Sequence, residues 1–189
     1  MTTLVTSTAP SPRLRRRACR RRWPGLGLAG AITALTLLGA LAVRPIFLLN
    51  TTPSEPLGLY IETPGAVSAG RLVAFRAPAS AFPYADRRLG YLHHTTLLKA
   101  VAAGPGDAVC TTAARRLRIN GRDRAPIAVG DSLGVTLPRW TGCRRLGANE
   151  FFVFSDRVPN SFDSRYFGPI DRSSIVGVYR PVFESRGGG

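Results

Sequence analysis

Lysine is almost missing from this chain. Of its 26 basic residues 25 are arginine, and Lys99 is the only lysine. Histidine is nearly as scarce, with His93 and His94 alone. As neighbours in an extended segment they point to opposite sides and make poor joint ligands. A Ser-His-Asp arrangement has no motif behind it. The three cysteines, Cys19, Cys110 and Cys143, form no CxxC pair and have no accompanying histidine spacing, which argues against zinc. No metal or other cofactor is expected. Beyond residue 44 no stretch carries the apolar period of an amphipathic helix, and no internal repeat occurs. Acidic residues are absent from the first 44 positions, which hold eight arginines.

The formal charge of +15 is therefore uneven. Residues 45–189 carry 18 basic and 11 acidic side chains, a milder +7. A pI near 11.4 would suit a nucleic-acid binder. However, seven arginines (13, 15, 16, 17, 20, 21 and 22) lie directly before an apolar run, and no compact basic stripe with interleaved aromatics follows. A membrane-topology signal accounts for the excess better, so the expected partner is a lipid bilayer and not nucleic acid. Gly25 to Val43 is 19 residues without a charge, enough to cross a hydrocarbon core of ~30 Å as a helix. Pro24 suits the first helical position and Trp23 the headgroup level. The arginine asymmetry orients the segment with its N-terminus in the cytoplasm. Ala40-Leu41-Ala42 has the form of a cleavage site, so a cleavable leader is the rival reading. The apolar run exceeds a usual signal core, which favours a retained anchor.

The expected organisation is a disordered basic flank over 1–23, a transmembrane anchor over 24–44, an exported domain over 45–185 and a flexible tail over 186–189. Cys19 then lies on the reducing side, while Cys110 and Cys143 lie where oxidation is permitted. A disulfide between them is expected. It would close a loop of about 34 residues, worth roughly 4 kcal/mol in the chain-entropy account.

The exported part reads as short strands punctuated by glycine and proline. Strands are expected over Leu59–Glu62, Arg71–Arg76, Leu97–Ala103, Ala108–Thr112, Arg116–Ile119, Phe151–Phe154 and Ile175–Phe183. Asn120-Gly121 signals a hairpin turn towards Pro126 and Val129. Residues 77–91 read as a loop without periodicity. A mainly β single domain follows.

Three stretches could carry chemistry. Lys99 lies in the apolar run Leu97-Leu98-Lys99-Ala100-Val101-Ala102-Ala103, where a cation is costly to bury. Arginine stays protonated at any working pH, whereas a desolvated lysine can become a neutral amine and act as a base. The bland alternative is a lysine that snorkels out of a strand with its head wet. Ser54 stands between Pro53 and Pro56, whose rings stiffen the chain presenting its hydroxyl. It needs a partner to take its proton before attacking a carbonyl, and Lys99 is the better base. Taken alone, Thr-Pro-Ser-Glu-Pro would be a linker. The third stretch, Ser155 to Pro169, packs Asp156, Asp163, Arg157, Arg165 and the hydroxyls of Ser155, Ser161 and Ser164 into a short loop. Alone it would pass for a solvated polar loop.

Together, in the order anchor, serine, lysine and Asp-Ser-Arg box, these stretches resemble the type I signal peptidase superfamily of membrane-anchored Ser/Lys proteases. More narrowly they resemble its conjugative-transfer TraF subfamily, over residues 45–183. Pro53-Ser54-Glu55-Pro56-Leu57-Gly58-Leu59-Tyr60 matches the nucleophile motif in its TraF form, and Leu97-Leu98-Lys99-Ala100-Val101-Ala102-Ala103-Gly104-Pro105-Gly106-Asp107 the general-base motif. Ser155–Gly168 matches the Gly-Asp-Asn-Arg-x-x-Ser-x-Asp-Ser-Arg-Tyr-x-Gly box without gaps, except that Ser155 replaces its first glycine and Arg157 its asparagine. The Cys110/Cys143 pair and Pro138-Arg139-Trp140-x-Gly142-Cys143 also look like this subfamily.

The resemblance implies a signal-peptidase-like β domain with Ser54 as nucleophile and Lys99 as general base. It implies an oxyanion hole from the Thr52 hydroxyl and the Ser54 N–H, and Ser161 orienting the amine. Asp163 and Arg165 would be a supporting ion pair, with Asp156 a weaker structural match. A carboxylate beside Lys99 would raise the lysine's pKa, so Asp163 is expected to support rather than to catalyse. The implied enzyme is an endopeptidase at the outer face of the inner membrane, removing the leader from an exported pilin-like precursor of a conjugation or type IV secretion system. Some members of the branch are associated with maturation to a cyclic product. The alternatives are a general secretory signal peptidase and a non-catalytic anchored component of the transfer channel.

Overall fold

The computed structural model describes residues 46–159 and 161–184. The expected basic flank, anchor and tail lie outside the described residues, as does Cys19. Among the described residues no helix is long and apolar enough to cross a membrane.

Eleven strands form two antiparallel sheets. They are β1 (Phe47–Asn50), β2 (Gly58–Glu62), β3 (Leu72–Phe75), β4 (Leu97–Ala103), β5 (Ala108–Thr111), β6 (Arg116–Ile119), β7 (Arg122–Pro126), β8 (Cys143–Arg145), β9 (Glu150–Val153), β10 (Ile170–Asp171) and β11 (Ile175–Glu184). The larger sheet has seven strands in the order β1-β2-β11-β3-β4-β9-β10; the smaller has four, β7-β6-β5-β8. Every strand named from the sequence is present with ends shifted by two residues at most. Four strands went unnamed: β7 was implied only by the Asn120-Gly121 turn, and β1, β8 and β10 are only two to four residues long and gain their identity from a neighbour.

Residues 77–91 correct the sequence reading. They hold a 3-10 turn over Ala79–Ala81, helix α1 over Tyr84–Arg88 and a second 3-10 turn over Gly90–His93. Pieces this short carry no measurable period, and burial of Ala81, Tyr84, Ala85 and Leu92 holds them in place. A further one-turn helix, α2, spans Ser164–Phe167.

The main core lies on one face of the larger sheet. There Val73, Phe75, Val101, Val153 and Val178 pack against Phe162, Tyr166 and Phe167 from the loop around α2. Lys99 stands in register with Val73 on the neighbouring strand, so its side chain leaves the sheet on this apolar face. The opposite face carries a smaller cluster of Tyr60, Ala74, Leu98 and Tyr179. A third cluster (Val109, Leu117, Ile119, Ala125, Phe152, Phe154) joins the two sheets.

The smaller sheet is pinned twice. Asn120 and Gly121 take positive φ of 50° and 79°, closing the β6–β7 hairpin as the Asn-Gly pair requires. Cys110 on β5 and Cys143 on β8 are register partners and form a disulfide. In the larger sheet, β4 and β9 pair at Val101–Val153, with a bulge between Val101 and Ala103. After one more bond, Phe154 N to Ala100 O at 3.0 Å, the chain following β9 leaves for the box loop.

Candidate active site

Ser54 lies on the turn joining β1 to β2. Asn50, the last residue of β1, builds that turn: its Nδ2 donates to the carbonyls of Thr52 (3.0 Å), Glu55 (2.9 Å) and Pro56 (2.9 Å). Its Oδ1 accepts from the Thr52 N–H at 3.2 Å and the Thr52 hydroxyl at 2.9 Å. The Tyr60 hydroxyl also donates to Pro56 O at 2.6 Å. The turn ends at Gly58, whose φ of +154° brings β11 so close that a Cβ would stand 2.0 Å from Phe183 O. Any larger residue there would push the two strands apart. Ser155 Oγ, at the start of the box, donates to the Ser54 carbonyl. Ser54 is thus held from both sides and is buried.

Lys99 Nζ lies 2.5 Å from Ser54 Oγ, and the lysine is only 3% exposed. Burial drives its pKa down; the charges of Asp163 and Glu55 pull it back up, and Arg165 pushes it down again. Burial is the largest of these influences, so the neutral amine is favoured relative to a free lysine. Thr52 Oγ1 is 3.5 Å from Ser54 Oγ.

The box wraps around a buried ion pair. Asp163 caps α2, accepting from Arg165 N at 3.1 Å, and meets the guanidinium at 2.8 Å from both Nε and Nη2. Arg165 also donates to the carbonyls of Pro126 (3.1 Å), Ser155 (3.4 Å) and Ser161 (3.1 Å). It stacks over Phe154, and with Asp163 it is essentially inaccessible to water. Such a pair persists only with its remaining donors satisfied, as most of them are here. Ser161 Oγ is buried and has no hydrogen-bond partner among the described residues. Asp156 lies apart: it is exposed, and no hydrogen bond of its side chain is recorded among the described residues.

Ser54, Lys99, Thr52 and Ser161 line one cavity of about 550 Å³, together with Leu97, Tyr84, Arg88 and Asp131. The histidines take no part. His93 pairs with Asp86 at 2.6 Å on the surface and stacks on Phe82, away from the serine's partners. Among the described residues no group of His, Cys, Asp and Glu could hold a metal ion.

Sequence reasoning passed over three residues here. Asn50 was given no role; Glu55 was quoted within the serine motif but given no task; Ser155 was counted only as one hydroxyl of the box loop and as a departure from the box's glycine. Glu55 is buried, and its Oε1 accepts from Ala100 N at 3.3 Å. A carboxylate directly beside the serine was the one available signal.

The model for the family described as signal peptidase, peptidase S26, matches residues 26–183. A plasmid transfer protein TraF from Escherichia coli is 37% identical over 164 residues, covering 81% of this chain and 91% of that protein. A conjugal transfer protein TraF from Agrobacterium tumefaciens is 36% identical over 179 residues, covering 87% of this chain and 97% of that one. The crystal structure of a signal peptidase I from Enterococcus faecalis overlays with a TM-score of 0.38 at 22% identity, covering 61% of this chain and 98% of that one.

Proposed function

The chain belongs to the signal peptidase family, peptidase S26, and within it to the conjugative-transfer TraF subfamily; from that premise we propose that it is a serine endopeptidase with Ser54 as nucleophile and Lys99 as general base. The observation that carries this reading is the 2.5 Å approach of a buried lysine amine to the Ser54 hydroxyl. Neutral Lys99 takes the proton of Ser54 Oγ as the oxygen attacks the scissile carbonyl, and returns it to the leaving amine. The acyl-enzyme is then released by a water that Lys99 deprotonates. The oxyanion is met by the Ser54 N–H and by the Thr52 hydroxyl once it turns from Asn50 Oδ1, donors of a kind worth several kcal/mol at the transition state. The Ser161 hydroxyl, which has no partner among the described residues, fixes the amine's direction. Asp163 and Arg165 hold the box that closes over the lysine.

The substrate class is the leader of an exported pilin-like subunit of a conjugation or type IV secretion system. Support comes from the plasmid and conjugal transfer roles in the relatives' names. The enzyme works outside the cytoplasm, anchored in the inner membrane through residues 24–44. Mass spectrometry of exported subunits from cells carrying wild-type or Ser54→Ala protein tests the reading. Loss of one cleavage in the variant is expected, and its mass also reports whether the product is hydrolysed or cyclised. Unchanged maturation in the Ser54→Ala strain would overturn the assignment.

A further inference from the structure

Glu55 is a buried acid beside a buried base, and the mechanism above gives it no step. Its main chain is fastened by Asn50, whose Nδ2 donates to Glu55 O at 2.9 Å. Its side chain crosses to the lysine strand, where Oε1 accepts from Ala100 N at 3.3 Å. That N–H lies on the edge of β4 that β9 has just left: the last bond between those chains is Phe154 N to Ala100 O at 3.0 Å. Without Glu55 this half-buried amide would lose its acceptor. The carboxyl therefore stands in for a missing strand, one residue from Ser54 along one chain and one residue from Lys99 along the other.

We propose that Glu55 is a positioning residue: its carboxyl ties the serine turn to the lysine strand and so places an acidic group next to the Ser54–Lys99 pair. Its consequence for turnover rests on the peptidase reading, whereas its effect on the lysine does not. The charged and titratable groups around it are few. Lys99 faces it from β4, Arg157 from the loop after β9 and Tyr60 from β2. Lys99 in turn meets Asp163 and Arg165. Burial holds the Glu55 carboxyl above its ordinary pKa, while Lys99, the Ala100 amide and Arg157 oppose that rise. An ionised Glu55 favours the ammonium form of Lys99, so removing its charge makes the amine easier to deprotonate.

The chain itself supplies the probe. Because Lys99 is the only lysine, full-length protein labelled with 13Cε-lysine and held in detergent gives one lysine side-chain resonance, whose shift against pH reads this amine alone. Glu55→Gln keeps an acceptor for Ala100 N and removes the charge; Glu55→Ala removes both. In Glu55→Gln the Lys99 midpoint is expected to fall by on the order of one pH unit, and the acid limb of kcat/KM on a precursor peptide to move down with it. Glu55→Ala is expected to lose about ten-fold or more in kcat with KM little changed. Glu55→Gln should recover most of that loss. A lysine midpoint unmoved in Glu55→Gln, or wild-type kcat in Glu55→Ala, would overturn the proposal. If the wild-type protein cleaves no precursor, the peptidase reading fails, and the lysine titration still decides whether Glu55 governs Lys99.

Discussion

Arg165 and Arg118 each face an aspartate, and the two pairs differ in almost everything else. Arg165 meets Asp163 at 2.8 Å with side chains 2% and 0% exposed, beside the candidate site. Arg118 meets Asp123 at 3.3 Å on the smaller sheet with side chains 48% and 54% exposed. Water screens the second pair, and its long side chains lose entropy when they meet, so little net stability remains. The first pair has no water to fall back on, and its partners depend on each other and on the surrounding carbonyls. The same contrast separates Lys99 from the surface arginines. A charged pair at the exposed surface of the smaller sheet is screened by water, whereas a group in the seven-stranded sheet's core takes its properties from its neighbours.

The sharpest way to break this comparison is at the lysine. Lys99→Arg keeps charge and length but forbids deprotonation. Precursor processing should fall by at least ~10³-fold, as for loss of a nucleophile or base elsewhere, with circular dichroism still that of a folded β domain. Activity surviving in Lys99→Arg would show that the buried cation needs no neutral form. In the wild type, kcat/KM should rise with pH through the lowered pKa of Lys99, below the 10.5 of a free lysine. Stability should climb over the same interval, from the folded value up to the unfolded one, because the unfolded chain binds that proton more tightly. A pH titration of melting temperature checks the slope.

Next in size is the buried pair. Arg165→Met leaves Asp163 without its cation and should cost roughly 3–5 kcal/mol in denaturant unfolding. A cost below about 1 kcal/mol would place the pair in the same class as the surface ones. Reduction of Cys110–Cys143, which spans 33 positions, should cost roughly 2–4 kcal/mol and be felt mainly by the smaller sheet. Amide exchange in β5 and β8 would locate that loss. Last, Asp123→Asn should move stability by no more than ~0.5 kcal/mol, and added salt should erase even that.

Much of the domain could be read before any coordinates. Strand β4 ran over Leu97–Ala103 in the sequence and in the structure alike, because six apolar or small residues around one lysine, ahead of a Gly-Pro-Gly turn, leave few other options. The Asn120-Gly121 hairpin was equally plain, since few residue pairs accept two positive φ values. Short pieces were not legible. Phe47–Asn50 becomes a strand only by pairing with Leu59 and Tyr60, and α1 is a helix only because Tyr84 and Ala85 fill the core. At the site, Ser54, Lys99, Asp163 and Arg165 stood out by type and company. Asn50, Glu55 and Ser155 did not, because their importance lies in which main-chain groups they reach. Asp156 shows the reverse: prominent in the motif, it ends on the solvent side of the loop.

The amino-acid order alone decided that one lysine would sit among apolar neighbours, that prolines would stiffen one serine, and that the strands would be short. Those are local matters of period, ring constraint and solvation. Only the tertiary structure brought residues 45 positions apart within 2.5 Å. It also turned Lys99 onto the core face and closed an acid, a base and an ion pair away from water. Distance across a fold and local polarity are sums over many packed neighbours, and no single stretch of the chain carries them.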